Sequence, residues 1–145
     1  MKILIINGPN LNMLGKREPE IYGHETLKDI ENKCAKEAKA YKNVQLSFSQ
    51  SNNEGEIVTM IQNAINTYEG IILNAGAYTH TSVAILDAIK AVGIPTIEVH
   101  LSNIFQREPF RHHSYVSLGA KGIISGFGSD SYLMAIKYFA HETAN

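Results

Sequence analysis

Apolar residues run in short unbroken blocks along this chain, and between the blocks they recur every three or four positions. Lys2–Asn7, Val44–Ser49, Gly70–Asn74, Pro95–His100 and Gly122–Ser125 are apolar at consecutive positions, which predicts β-strands covered on both faces. Helical stripes separate them: Leu27, Ile30, Cys34 and Ala38; then Ile57, Met60, Ile61, Ala64, Ile65 and Tyr68; then Ile85 to Val92 and Tyr132 to Ala140. Thr26 with Asp29, and Asn53 with Glu56, sit three apart ahead of apolar runs and suit helix N-terminal caps. The order βαβαβαβαβ with right-handed crossovers predicts an α/β fold: a doubly wound, five-stranded parallel sheet flanked by helices, flavodoxin-like in strand order.

A chain of 145 residues fits a single domain spanning residues 1–145. Thirteen Lys and Arg are spread among fourteen acids, leaving a net charge of -1, so no basic stripe points to nucleic acid and no charged field to a membrane surface. The first apolar run is too short for a signal peptide or a membrane span. With one cysteine, Cys34, no intrachain disulfide or cysteine zinc cluster can form, and its helical spacing reads as core packing. A reducing, cytoplasmic location is expected.

Ligands of doubly wound sheets bind beyond the carboxyl ends of the strands. This rule singles out Asn7–Tyr22, Asn74–Ser82, His100–Arg111 and the turn Gly126–Ser129. The longest irregular segment, Gly8 to Glu25, contains Gly15-Lys16-Arg17-Glu18-Pro19-Glu20-Ile21-Tyr22-Gly23, a stretch bounded by glycines that reads as a hinged lid. Tyr22 could act as a base only if ionised; a phenol with a pKa of about 10 costs roughly 4 kcal/mol to deprotonate at neutral pH, of which a nearby cation such as Arg17 recovers about one to three pH units. Alternatively Tyr22 packs on the domain and Arg17 pairs with Glu18 or Glu20.

Glu98 and His100 lie two apart on one strand face, an arrangement that suits either a general acid tuned by a carboxylate or a structural histidine. His80, at the start of a helical segment, could meet ligand oxygens or complete a capping turn. Asn10 and Asn12 could hold a turn through the backbone or steady an enolate oxygen. Arg111 could clamp a carboxylate or belong to a solvated basic string with His112 and His113.

Together these segments carry a resemblance that none carries alone. Asn-Gly-Pro-Asn-Leu, Gly-Lys-Arg-Glu-Pro-Glu-Ile-Tyr-Gly, Asn-Ala-Gly-Ala-Tyr-Thr-His-Thr-Ser, Glu-Val-His-Leu-Ser-Asn and Arg-Glu-Pro-Phe-Arg-His-His-Ser occur in the order and spacing of the type II 3-dehydroquinate dehydratases. The resemblance spans about residues 2 to 140. It implies a cofactor-free, metal-free hydro-lyase that removes water from 3-dehydroquinate by trans elimination to give 3-dehydroshikimate, the third step toward chorismate. In that scheme Tyr22 accepts the proton at carbon 2, Arg17 keeps it ionised, Asn10 holds the enolate through a water, and His100, oriented by Glu98, protonates the leaving hydroxyl. The resemblance places substrate contacts on Asn74, His80, Asp87, Leu101, Ser102 and Arg111. It also implies a homo-oligomer, a dodecamer built from trimers, in which Asp87 reaches a neighbouring subunit's site.

The type I enzymes, which use a Schiff-base lysine on a barrel, need a longer chain. A flavin or nucleotide module would want a glycine-, serine- or threonine-rich phosphate loop, whereas Asn7 to Asn12 carries Pro9 and one glycine. A receiver domain would want acids where Asn7 and Asn74 stand.

Overall fold

The computed structural model describes residues 1–16 and 18–142, and of Tyr22 the backbone alone. In chain order the elements are β1 (Lys2–Asn7), α1 (Pro19–Tyr22), α2 (Leu27–Ala38), β2 (Gln45–Gln50), α3 (Glu54–Asn63), β3 (Gly70–Asn74), α4 (Val83–Val92), β4 (Thr96–His100), β5 (Gly122–Ser125) and α5 (Asp130–Glu142). The five strands pair in parallel in the order β2-β1-β3-β4-β5, which is the flavodoxin-like order expected. Successive residues of a strand face opposite sides, so each apolar block feeds two cores. Ile3 and Ile5 of β1 pack with Ile30 and Cys34 of α2 and with Tyr132, Ile136 and Phe139 of α5. Leu4 and Ile6 pack on the other side with Ile57 and Ile61 of α3 and Ile85 and Ile89 of α4.

The caps explain where the helices begin. Thr26 accepts the amide of Asp29 at 3.1 Å while Asp29 accepts the amide of Thr26 at 3.0 Å, a full capping box. At α3 the box is half built: Asn53 accepts the Glu56 amide at 3.1 Å, but the Glu56 carboxylate turns to the Ser51 hydroxyl, which itself accepts the Asn53 amide at 2.9 Å.

Three expectations change. The stripe running to Tyr68 breaks after Asn63, because the chain turns through Asn66, which adopts a left-handed φ of 63° that asparagine tolerates. The second strand is shifted by one residue, to Gln45–Gln50. Nor are all strands covered on both faces. β5 lies at the sheet edge with Gly122 and Ile123 exposed, and β2, at the other edge, is only partly buried along most of its length. Consecutive apolar residues therefore mark the β5 block as a strand without marking it as buried. Among the described residues no helix is long and apolar enough to cross a membrane.

Candidate active site

Parallel strands that end together leave their following loops crowded over one edge, and there the chain forms a pocket. Its floor is the end of β4. His100 and Leu101 line it with Asn74 from the end of β3, Asn10 from the loop after β1, and His80, Ser102 and Arg111 from the loops after β3 and β4. Of the residues singled out from the sequence, these seven converge. Asp87 does not join them: it is exposed on α4. Arg17 and the side chain of Tyr22, on which the resemblance places the base and its cation, lie outside the described residues.

The loop after β1 reaches this position because its backbone packs directly on the loop after β3. A Cβ built on Gly8 would lie 2.5 Å from the Ala75 carbonyl oxygen, so only glycine fits the approach. Gln50, the last residue of β2, and Asn52, just beyond it, tie the loop down: Gln50 Nε2 donates to the Gly8 carbonyl at 3.1 Å, and Asn52 Oδ1 accepts the Asn10 amide at 3.0 Å. The two asparagines left open by sequence part company here. Asn10 lines the pocket in a left-handed conformation (φ 69°), whereas Asn12 turns toward Gln50.

Glu98 and His100 point the same way from β4, as spacing by two requires, and His100 Nε2 lies 2.9 Å from Glu98 Oε2. Glu98 is fully buried and His100 is 6% exposed. Burial alone pushes a carboxyl's pKa upward; here the bonds from His100, Ser114 and Ser117 and the His100 charge outweigh burial, and Glu98 is held below the ordinary carboxylate value. An ionised carboxylate only accepts, so Nε2 of His100 carries a proton and Nδ1 is the nitrogen left for a ligand.

The His80 ring lies nearly parallel to that of His100, 16° off with centroids 6.5 Å apart. His80 Nδ1 is 2.7 Å from the His113 carbonyl oxygen, which can only accept, so Nδ1 carries the hydrogen and Nε2 is a bare acceptor. Burial lowers the His80 pKa, the His113 carbonyl opposes this, and the charges of His100 and Arg111 lower it further, so the ring favours its neutral form. A bare acceptor on His80 beside the free Nδ1 of His100 suits a hydroxylated ligand.

Asn74 is 3% exposed, and its carboxamide is held from both ends. Nδ2 donates to the Tyr132 hydroxyl at 2.9 Å and Oδ1 accepts the Gly76 amide at 3.2 Å. The basic string separates: Arg111 lines the pocket with Nε on Glu108 Oε2 at 2.5 Å, His112 Nε2 donates to the Arg107 carbonyl at 3.0 Å, and His113 meets the Tyr115 ring edge-on. Sequence reasoning missed Arg107, which also lines the pocket, and Ser114 and Ser117, which hold Glu98. Arg107 sits in the strand-end segment already singled out, and Ser114 closes the Arg-Glu-Pro-Phe-Arg-His-His-Ser stretch, but no local pattern directs either serine to Glu98.

A doubly wound α/β domain whose strand ends enclose a carboxylate-backed histidine, a neutral histidine and two arginines defines an acid–base site for a small oxygen-rich anion. Residues 1–140 match the family model for class II dehydroquinase, and the chain belongs to that family. It is 56% identical over 143 residues to 3-dehydroquinate dehydratase of Bartonella tribocorum, covering 99% of this chain and 95% of that one. It is 54% identical over 143 residues to the Trichodesmium erythraeum protein of the same name, again covering 99% of this chain and 95% of that one. The crystal structure of type II dehydroquinase from Butyrivibrio crossotus superposes with a TM-score of 0.92 at 48% identity, covering 95% of this chain and 96% of that one.

Proposed function

We propose that this chain is a 3-dehydroquinate dehydratase acting by trans elimination through an enolate, at the third step of chorismate biosynthesis, and that residues 1–145 form one catalytic unit. The observation that carries this reading is the buried Glu98–His100 pair on the floor of a pocket lined by Asn10, Asn74, His80 and Arg111.

In this mechanism the Tyr22 phenolate, kept ionised by Arg17, takes the proton from carbon 2, and the electron pair moves into an enolate. Asn10, through a water, holds the enolate oxygen. The enolate pair then expels the hydroxyl as His100 hands it a proton from Nδ1, so that one water leaves and a conjugated ketone remains. Proton return from Tyr22 to His100 through solvent resets the site. Arg111 suits the substrate carboxylate, and Asn74, His80, Leu101 and Ser102 suit its hydroxyls and ring. No cofactor takes part in this scheme.

We place the enzyme in the cytoplasm as a homo-oligomer, a dodecamer built from trimers. The exposed apolar edge at Ile123 and the position of Asp87 away from its own pocket support association, since such an edge is otherwise left uncovered. Absorbance at the wavelength of the conjugated product, with 3-dehydroquinate as substrate, tests the activity. Tyr22→Phe should abolish turnover while the protein stays folded; activity within about tenfold of the parent would remove Tyr22 from the mechanism.

A further inference from the structure

A buried carboxylate without partners takes up a proton rather than keep its charge. Glu98 has partners from a distant part of the chain. Ser114 Oγ donates to Oε1 at 2.6 Å, and Ser117 Oγ reaches both oxygens, at 2.9 and 3.1 Å. The Ser117 amide donates to Ser114 Oγ at 3.0 Å, so the Ser114 hydroxyl accepts from that amide and its single hydrogen is directed at Glu98. The segment is pinned behind the pocket by the fully buried Val116 and by the Tyr115 amide on the Thr79 carbonyl at 2.9 Å. The serines touch Glu98 on its oxygens and leave the pocket to His100.

We propose that Ser114 and Ser117 are positioning residues for the acid: by holding the Glu98 carboxylate in place and sharing its negative charge, they set how readily His100 gives up its proton. The inference rests on the reading of His100 as the general acid. A carboxylate stripped of hydroxyl donors concentrates its charge on His100, binds the imidazolium more tightly and makes it a poorer acid. Among the described residues, the other charged or titratable groups that line the pocket with His100 are His80, from the turn after β3, and Arg107 and Arg111, from the loop after β4. They are unchanged by substitution at the serines.

The test uses the full chain carrying Ser114→Ala, Ser117→Ala or both, with Ser117→Thr as the variant that keeps a hydroxyl. Two quantities are read: the pH at which the Glu98–His100 pair takes up its proton, followed by NMR of the His100 ring, and the pH dependence of kcat for 3-dehydroquinate. Loss of both hydroxyls should raise the pair's proton affinity by about threefold to tenfold, with the basic limb of kcat moving by the same amount and KM little changed. Each single variant should shift by about twofold to threefold, and Ser117→Thr should match the parent. Should the double variant fail to fold, the Ser117→Ala and Ser117→Thr pair decides. A folded alanine variant with an unmoved midpoint, or a threonine variant that shifts as far as alanine, overturns the proposal. A parent enzyme inactive on 3-dehydroquinate would instead overturn the function, and the NMR midpoint would still report on the serines.

Discussion

Asn74 and Tyr132, 58 residues apart, meet beneath the pocket through a 2.9 Å hydrogen bond, and the tyrosine hydroxyl in turn donates a hydrogen bond to Asn7 Oδ1 at 2.5 Å. All three side chains are buried, so the chain Asn74, Tyr132, Asn7 joins α5 to the ends of β3 and β1 without help from solvent. Tyr132→Phe leaves the Asn74 amide and the Asn7 oxygen each short of a partner at a cost of about 1–3 kcal/mol. The melting temperature should fall by roughly 2–10 °C in calorimetry. An unchanged melting temperature would show that these amides find other partners.

Removing the imidazole tests the proposed acid directly. His100→Ala should lower kcat by about 10²–10⁴-fold while KM for 3-dehydroquinate moves far less, since the lost interaction belongs to the transition state. Steady-state kinetics with a circular dichroism control reads both quantities, and a variant that lost only affinity would assign His100 to binding alone.

Acid should weaken the fold through Glu98. Its folded pKa lies below the ordinary value of 4.5, first against burial and then because of His100, Ser114 and Ser117, so the unfolded chain takes up that proton more readily. The stabilisation is complete above the unfolded pKa and is lost as pH falls through the folded one. Urea midpoints measured from pH 7 downward should therefore drop below about pH 4.5. Glu98→Gln should show a shallower drop over the same window.

Cys34 should resist alkylation. Its side chain is fully buried, and burial first, then the charges of Glu31, Glu25 and Glu37, push its thiol up to about 12. Iodoacetamide at neutral pH should leave the native protein unlabelled and label it in denaturant, as mass spectrometry would show. Rapid native labelling would mean that α2 opens.

Gly8→Ala would drive a methyl group into the Ala75 backbone, where neither loop can yield easily. A loss of about 1–3 kcal/mol in denaturant unfolding is expected, with activity falling because Asn10 rides on the same loop. A variant of parental stability would show that the two loops separate readily.

The sequence by itself determined the elements, because burial on two faces writes consecutive apolar residues into Ile3–Ile6 and Ile71–Leu73, and a helix writes its own period into α2 and α5. It also placed Glu98 beside His100, since two residues on one strand share a face whatever the rest of the chain does. Only the tertiary structure decided what holds that pair and what surrounds it. Ser114, Ser117 and Tyr132 sit in segments whose local pattern is that of any loop or helix. They reach Glu98 and Asn74 across 16, 19 and 58 residues because the sheet and its packed helices bring those segments together. The same holds for Asn10 and Asn12, alike in sequence and separated only by the way the Gly8 loop packs on Ala75. Local periodicity records the faces a residue turns toward its own element. The partners a side chain meets are set by closure of the whole fold.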